Sequence, residues 1–300
     1  MRFELPAPQM TFEVALDDGA KIRMRRHGNS EGMRLLITHG NGFAADAYFP
    51  YWQHLLPQYD LLVFDFRNHG QNIPVEPANH SYEQFVRDLE CIVQDVNSRL
   101  GRKPTAGIFH SMSGRTAMKH AIEVGWCWDA LILFDPPNVP PPTHPLYPAM
   151  EAFEELLVAW AGNRRRKFAA VEELAEEYRQ SRAARAWLPG THELMARSVL
   201  RKDGNGYVLI CAPENETHIY QQALTLNLWP RADQFGGPVK LIGADPARTA
   251  PPTGPANQAL GKEGGYNYDF VAGAGHMLQI EKPQECVRLT TAFLKECGLG

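Results

Sequence analysis

A serine, a histidine and two aspartates lie where they could converge on one proton-transfer chemistry. Ser111 stands in IFHSMSG, Ile108 to Gly114, after an apolar run and before a segment of helical character. A serine hydroxyl is a poor nucleophile until a base takes its proton. The base in turn needs a third group to fix its tautomer and orientation. His276 follows Gly273, Ala274 and Gly275, a tight small-residue loop suited to carrying an imidazole. Asp245 ends the apolar stretch GGPVKLIGAD, and Asp135 ends another, Trp128 to Phe134. The chain order Ser111, Asp245, His276 is that of nucleophile, acid and base when the serine sits on a sharp strand-to-helix turn. The expected set is Ser111, His276 and Asp245, with Asp135 as the alternative acid.

Such a turn usually reads G-x-S-x-G, and here the outer positions are Phe109 and Ser113. Ser113 is small. Phe109 is not, so either its neighbours are drawn back or the turn is altered. Ser113 is a poorer nucleophile candidate, because Arg115 two residues on does not suit a tight turn.

The surrounding pattern supplies strands and helices to hold these groups. Residues 11–27 alternate about Asp17–Asp18–Gly19 and predict a hairpin. Arg34–Gly40, Tyr59–Phe66, Ala106–Phe109, Trp128–Phe134, Gly236–Pro246 and Tyr268–Gly275 are short, mostly apolar runs that read as buried strands. Residues 46–57, 81–100, 114–124 and 283–296 read as helices, with Ser81 capping the second. Apolar strands alternating with helices predict an α/β class with a mostly parallel sheet covered on both faces. Seven prolines between Pro136 and Pro148 interrupt this rhythm. The expected organisation is a core over 1–135, a mostly helical cap over 136–235 and a returning core over 236–300. The stretch 248–259 reads as an exposed irregular loop.

In an open parallel sheet, ligands gather at the carboxyl ends of strands. His39–Gly42, Asp65, His110, Ser111, Asp135, Asp245 and His276 all follow predicted strands. Composition narrows the partners. The chain has 300 residues and a formal net charge of −4, so no broad basic field favours nucleic acid. No apolar run is long enough to span a bilayer and the N-terminus lacks a signal-peptide core, which predicts the cytoplasm. The five cysteines are far apart, without redox or metal spacing. THELM, Thr191 to Met195, lacks the second histidine of a zinc motif, and HGNG matches no nucleotide loop. No metal and no cofactor are expected. A homodimer is compatible with the sequence, which does not specify one.

The ordered set THGNG (38–42), FDFRNHG (64–70), FHSMSG (109–114), LIGAD (241–245) and GAGHMLQIEKP (273–283) resembles the α/β-hydrolase superfamily over most of the chain. The resemblance implies the α/β-hydrolase fold, with Ser111 as nucleophile, His276 as base and Asp245 as acid. It also carries the acid at the Asp135 position in some members. The oxyanion hole would be the backbone N–H of Met112 with that of Asn41 or Gly42. His39 and His110 would be structural, and Asp65 and Arg67 would brace a loop as a pair. A helical cap would set specificity, and Phe43, His110, Trp160 and Trp187 are the expected pocket residues. The expected activity is hydrolysis of a small or medium apolar carboxylic ester, a small-molecule substrate. Alternatives are cleavage of carbon–carbon bonds in ring-cleavage keto acids and a non-catalytic ligand-binding role.

Overall fold

The computed structural model describes residues 3–75 and 79–300. The chain opens with the hairpin β1 (Met10–Ala15) and β2 (Lys21–Gly28). Then follow β3 (Arg34–Ile37), α1 (Phe49–Trp52) between two 3₁₀ turns, and β4 (Asp60–Phe64). Next come α2 (Tyr82–Leu100), β5 (Thr105–His110), α3 (Met112–Glu123) and β6 (Ala130–Phe134). The chain then leaves the main sheet for α4 (Tyr147–Gly162), β7 (Lys167–Phe168), α5 (Val171–Gln180) and α6 (Thr191–Val199). It continues through β8 (Leu200–Asp203), β9 (Gly206–Leu209) and α7 (Pro213–Ala223). It returns with β10 (Val239–Gly243), α8 (Thr253–Gly264), β11 (Asn267–Phe270), α9 (Leu278–Glu281) and α10 (Pro283–Glu296).

Eight strands form one sheet in the order β1-β2-β4-β3-β5-β6-β10-β11. The first two pairings are antiparallel and the rest parallel. The central strands are buried along their whole length except at Thr105, the first residue of β5. They read as mostly apolar runs because helices cover both faces, with Arg34, Asp60 and Lys240 as charged exceptions. From β3 the chain moves to β4 on one side and then to β5 on the other. The carboxyl ends of β3 and β5 therefore flank the point where strand order reverses, where such sheets take ligands. Ile37 lies beside Ile108, which sets the His39–Gly42 turn next to Ser111.

The excursion between β6 and β10 is less purely helical than its sequence suggests. It contains a three-stranded antiparallel sheet, β7-β9-β8. Phe168, Leu174, Trp187 and Leu194 join the same buried cluster as Leu35, Tyr48 and Trp52. The ion pair of Arg115 on α3 with Glu154 on α4 ties it to the core. The stretch expected to be an irregular loop instead contains most of α8. Pro255 falls in the first turn of that helix, where a missing N–H costs nothing. Asn257, Leu260 and Gly261 are buried in it. The pattern was concealed because small and polar residues, not large apolar ones, make its inner face.

Phe109 fits beside the turn because of Gly107. The two residues share one face of β5, and a Cβ at Gly107 would overlap the Phe109 ring. The ring therefore folds back along its own strand and meets Trp128 edge-on, with centroids 5.5 Å apart. Bulk at this position is directed away from the turn. Gly107→Ala is expected to lower unfolding free energy by about 1–3 kcal/mol through overpacking, and by clearly less in a Phe109→Val background. Urea denaturation of the four proteins measures the coupling; equal costs in both backgrounds would contradict it.

Candidate active site

Ser111 is the residue between β5 and α3, with φ 56° and ψ −118°. A non-glycine residue in that region is strained, and such strain collects at functional sites. Two backbone bonds hold the turn, Ser111 N–H to Phe134 O at 3.0 Å and Arg115 N–H to Ser111 O at 3.1 Å. The Ser111 side chain is thereby aimed at the end of the sheet. Ser113 serves the turn instead. Its hydroxyl donates to His110 O and accepts from His110 N–H, both at 2.9 Å.

His276 Nε2 lies 2.9 Å from Ser111 Oγ, and its Nδ1 lies 2.7 Å from Asp135 Oδ2. The three form a continuous hydrogen-bonded array. Asp135 follows β6 with φ 42° and is fully buried. Its other oxygen accepts the Ala244 N–H and an Asn257 Nδ2–H, each at 2.8 Å. These donors leave Oδ2 for the imidazole and hold the carboxylate in place. Asn257 belongs to α8, so the helix hidden in the sequence contributes directly to this arrangement.

Asp245, the expected acid, does not reach His276. Its carboxylate accepts Gly273 N–H at 2.6 Å and Ala247 N–H at 2.8 Å. Its own N–H donates to Ala274 O at 3.0 Å. It braces the loop that delivers His276, and those backbone donors, Gly273 first, hold its pKa below the ordinary value. Glu281 completes the brace by accepting Gly275 N–H at 2.6 Å, while burial raises its pKa. Chain order favoured Asp245. Asp135, at the end of β6, meets the His276 Nδ1 instead.

The hydrogen bonds distinguish between the two expected partners of Met112, Asn41 and Gly42. A Cβ on Gly40 would lie 3.1 Å from Ser111 Cβ, so the glycine turn presses against the serine. Gly42 N–H is already committed to His69 Nε2 at 3.1 Å. Gly42 has φ 72°, and a Cβ there would overlap the Glu216 carboxylate, so that position requires glycine. Asn41 N–H makes no hydrogen bond among the described residues. Asn41 is fixed through its side chain, which donates to Glu216 O at 2.9 Å. Met112 opens α3, and the first N–H groups of a helix have no partner inside it. Met112 and Asn41 are therefore the free pair.

The expected pocket residues separate. Phe43, next to the glycine turn, is half-buried and meets Trp187 edge-on at 6.4 Å. Trp160 is 45 % exposed on α4, with the Arg164 guanidinium 4.8 Å from its ring, and belongs to the surface. His110 is fully buried and bonded on both ring nitrogens to protein groups, so it is not a pocket wall. Sequence reasoning also missed the buried arginine–glutamate pairs that involve α4 and α7. Arg115 joins Glu154 of α4 and the Pro137 carbonyl. Arg164 joins Glu216 and the Tyr178 hydroxyl. Glu216 lies against Gly42, so charge sits directly beside the turn. Asp65 and Arg67 do not pair with one another. Asp65 accepts from Arg25 at 3.0 Å, and Arg67 holds Asp18 and Asp88 at 2.6 Å.

One cluster has metal-binding atoms close together. Those of His69, His80 and Cys211 lie within 4.8 Å of each other. The hydrogen bonds oppose coordination. Val75 N–H occupies Asn68 Oδ1 at 2.7 Å, so Asn68 Nδ2 donates to His80 Nδ1 at 3.2 Å. That leaves the His80 proton on Nε2, and the His69 Nε2 lone pair already accepts from Gly42. The five cysteines are free thiols. Among the described residues, no helix is long and apolar enough to cross a membrane.

A model of the alpha/beta hydrolase family matches residues 35–289, and the chain belongs to that family. No curated protein matches it. Among solved structures it is similar to E-2-(acetamidomethylene)succinate hydrolase, at 15 % identity and a TM-score of 0.75, covering 95 % of this chain and 99 % of that one. It is similar to an esterase from Exiguobacterium antarcticum at 14 % identity and a TM-score of 0.69, covering 95 % and 100 %. It also resembles the N-formylmaleamic acid deformylase of Pseudomonas putida S16, at 19 % identity and a TM-score of 0.64, covering 94 % and 100 %. At these identities the likeness concerns the fold.

Five buried histidines have depressed pKa values, chiefly because burial disfavours their charged form. His27 and His39 fall to about 4, and His69, His80 and His110 lie well below the ordinary 6.5. The unfolded chain takes up these protons near pH 6.5 and the folded chain does not, so stability falls as pH drops below that value. Each histidine that protonates only on unfolding adds a slope approaching about 1.4 kcal/mol per pH unit. The urea midpoint is expected to drop steeply between pH 7 and pH 5; a flat profile there would contradict the assigned neutral state.

Proposed function

We propose that the protein is a serine hydrolase that cleaves a small or medium carboxylic ester through an acyl-enzyme on Ser111. The observation that carries this reading is the array of Ser111, His276 and Asp135. Ser111 attacks the substrate carbonyl while His276 Nε2 takes its proton. Asp135 holds the imidazole with Nδ1–H toward itself and stabilises the imidazolium. Met112 and Asn41 N–H groups, helped by the N-terminus of α3, stabilise the tetrahedral oxyanion. His276 passes its proton to the leaving alcohol, and the acyl-enzyme forms. It then deprotonates water, which attacks the acyl group and frees Ser111. The helices over residues 136–235 act as a cap, and the Phe43–Trp187 pair supports an apolar acyl group.

A second reading rests on the Arg115–Glu154 and Arg164–Glu216 pairs. Buried charge beside the glycine turn suits a substrate with its own polar group, such as an amide of a carboxylic acid. The names of the succinate hydrolase and the deformylase fit that chemistry. A carbon–carbon bond hydrolase would use the same nucleophile and would draw on the same arginines for its keto acid.

Treatment with a fluorophosphonate is expected to add one label per chain, lost in Ser111→Ala. Failure to label folded protein would favour the non-catalytic alternative. With p-nitrophenyl acetate, Asp135→Asn is expected to lower kcat roughly 10³-fold or more, because it presents the wrong tautomer to His276. Asp245→Asn, which disturbs the loop, is expected to cost less than Asp135→Asn. Comparing p-nitrophenyl esters with N-formyl and N-acetyl amides of dicarboxylic acids by kcat/KM separates the two substrate readings; faster amide turnover would displace the ester reading.

A further inference from the structure

The proposed chemistry uses groups delivered by different loops, the glycine turn after β3 and the His276 loop after β11. Two buried side chains between them take no part in the proton transfers. His110 Nε2 lies 2.9 Å from the carbonyl oxygen of His276. A carbonyl only accepts, so Nε2 carries the proton and Nδ1 presents a lone pair. Tyr48 Oη, 2.7 Å from that Nδ1, must then donate to it. The same hydroxyl accepts Gly40 N–H at 3.1 Å. Every donor direction is fixed by its neighbour. The result is a one-way chain, Gly40 N–H to Tyr48 O–H to His110 Nδ1, and His110 Nε2–H to His276 C=O.

Both side chains are fully buried, which makes an unmade bond costly. The His110 and His276 rings are 4.7 Å apart, and the Tyr48 and His110 rings 5.4 Å. Burial holds His110 neutral, far below its ordinary pKa, and raises the Tyr48 phenol. Neither changes charge in the neutral pH range, so the directions persist there.

We propose that Tyr48 and His110 are positioning residues that lock the oxyanion turn and the base loop into one register around Ser111. Gly40 is the residue before Asn41, so its anchor sets where the Asn41 N–H points. His276 O is the backbone of the base itself, so its anchor sets how far Nε2 stands from Ser111 Oγ. Tyr48 lies in the 3₁₀ turn before α1, rooted among Trp52, Ala45 and Leu35 in the core. The core thus supplies a common reference for two otherwise separate loops. A linkage of this kind acts on the transition state more than on substrate binding.

This inference rests on Ser111 being the nucleophile, and its test is arranged to fail separately. Active sites are first counted by fluorophosphonate titration, and kcat with p-nitrophenyl acetate is expressed per titrated site. A parent that does not label fails the functional reading, not the linkage. Given a labelling parent, Tyr48→Phe keeps the ring and removes the hydroxyl. It is expected to lower kcat about 10- to 100-fold with KM changed less than about threefold. His110→Gln can place an amide N–H near the position of Nε2, and is expected to retain at least about threefold more kcat than His110→Ala, which breaks both links. The Tyr48→Phe/His110→Ala protein should be no slower than His110→Ala alone, since the chain is already broken. Counting only titrated sites removes unfolded protein from the comparison. Tyr48→Phe within twofold of the parent, or effects that multiply in the double variant, would overturn the proposal.

Discussion

The candidate site depends on one constraint: the His276 imidazole is gripped at both nitrogens, by Ser111 Oγ on one side and Asp135 Oδ2 on the other. Everything else in the site prepares that grip. Asp135 is fully buried, and its second oxygen is saturated by Ala244 and Asn257. The Asp245 and Glu281 carboxylates hold the N–H groups of Gly273 and Gly275, which fixes the loop from which His276 projects. The strained φ of Ser111 lifts its hydroxyl out of the sheet to meet the ring. A loop histidine without those braces would have no reason to stay within hydrogen-bonding reach of a serine 165 residues earlier.

Much of this was legible in the sequence, for physical reasons. Strands buried on both faces are mostly apolar, so β3, β4, β5, β6 and β10 were legible. Polar residues that interrupt such runs mark carboxyl ends, so Ser111, Asp135, Asp245 and His276 could be named. Which aspartate meets the histidine could not be read. Both follow strands, and the choice is made by long-range partners, the Gly273 N–H that takes the Asp245 carboxylate and the Ala244 N–H and Asn257 that hold Asp135, none of which leaves a trace in local pattern. Helix α8 was hidden for a similar reason, since its buried face is built from Gly254, Ala256, Asn257 and Gly261. Phe109 looked like a departure from a small-residue pattern. The compensation lay two residues away, at Gly107.

Tyr48, Arg164 and Glu216 had no local signal. Their roles arise from long-range packing: α7 brings Glu216 down on Gly42, and the 3₁₀ turn before α1 brings Tyr48 under His110. Charge beside the glycine turn changes the expected character of the site. The sequence suggested an apolar enclosure dominated by tryptophans. The structure places Trp160 on the surface and packs Phe43 against Trp187, and it buries two arginine–glutamate pairs, one of them against Gly42. Buried ion pairs are a weak source of stability because desolvation offsets their attraction.

The most direct measurement is a crystal structure of the protein after reaction with diethyl p-nitrophenyl phosphate. The account predicts a diethylphosphoryl group on Ser111 Oγ. Its phosphoryl oxygen should accept from the N–H groups of Met112 and Asn41, and His276 should remain bonded to Asp135. Phosphorus on Ser113, an oxygen turned toward Gly42 N–H in place of Asn41, or a His276 ring facing Asp245 would contradict it.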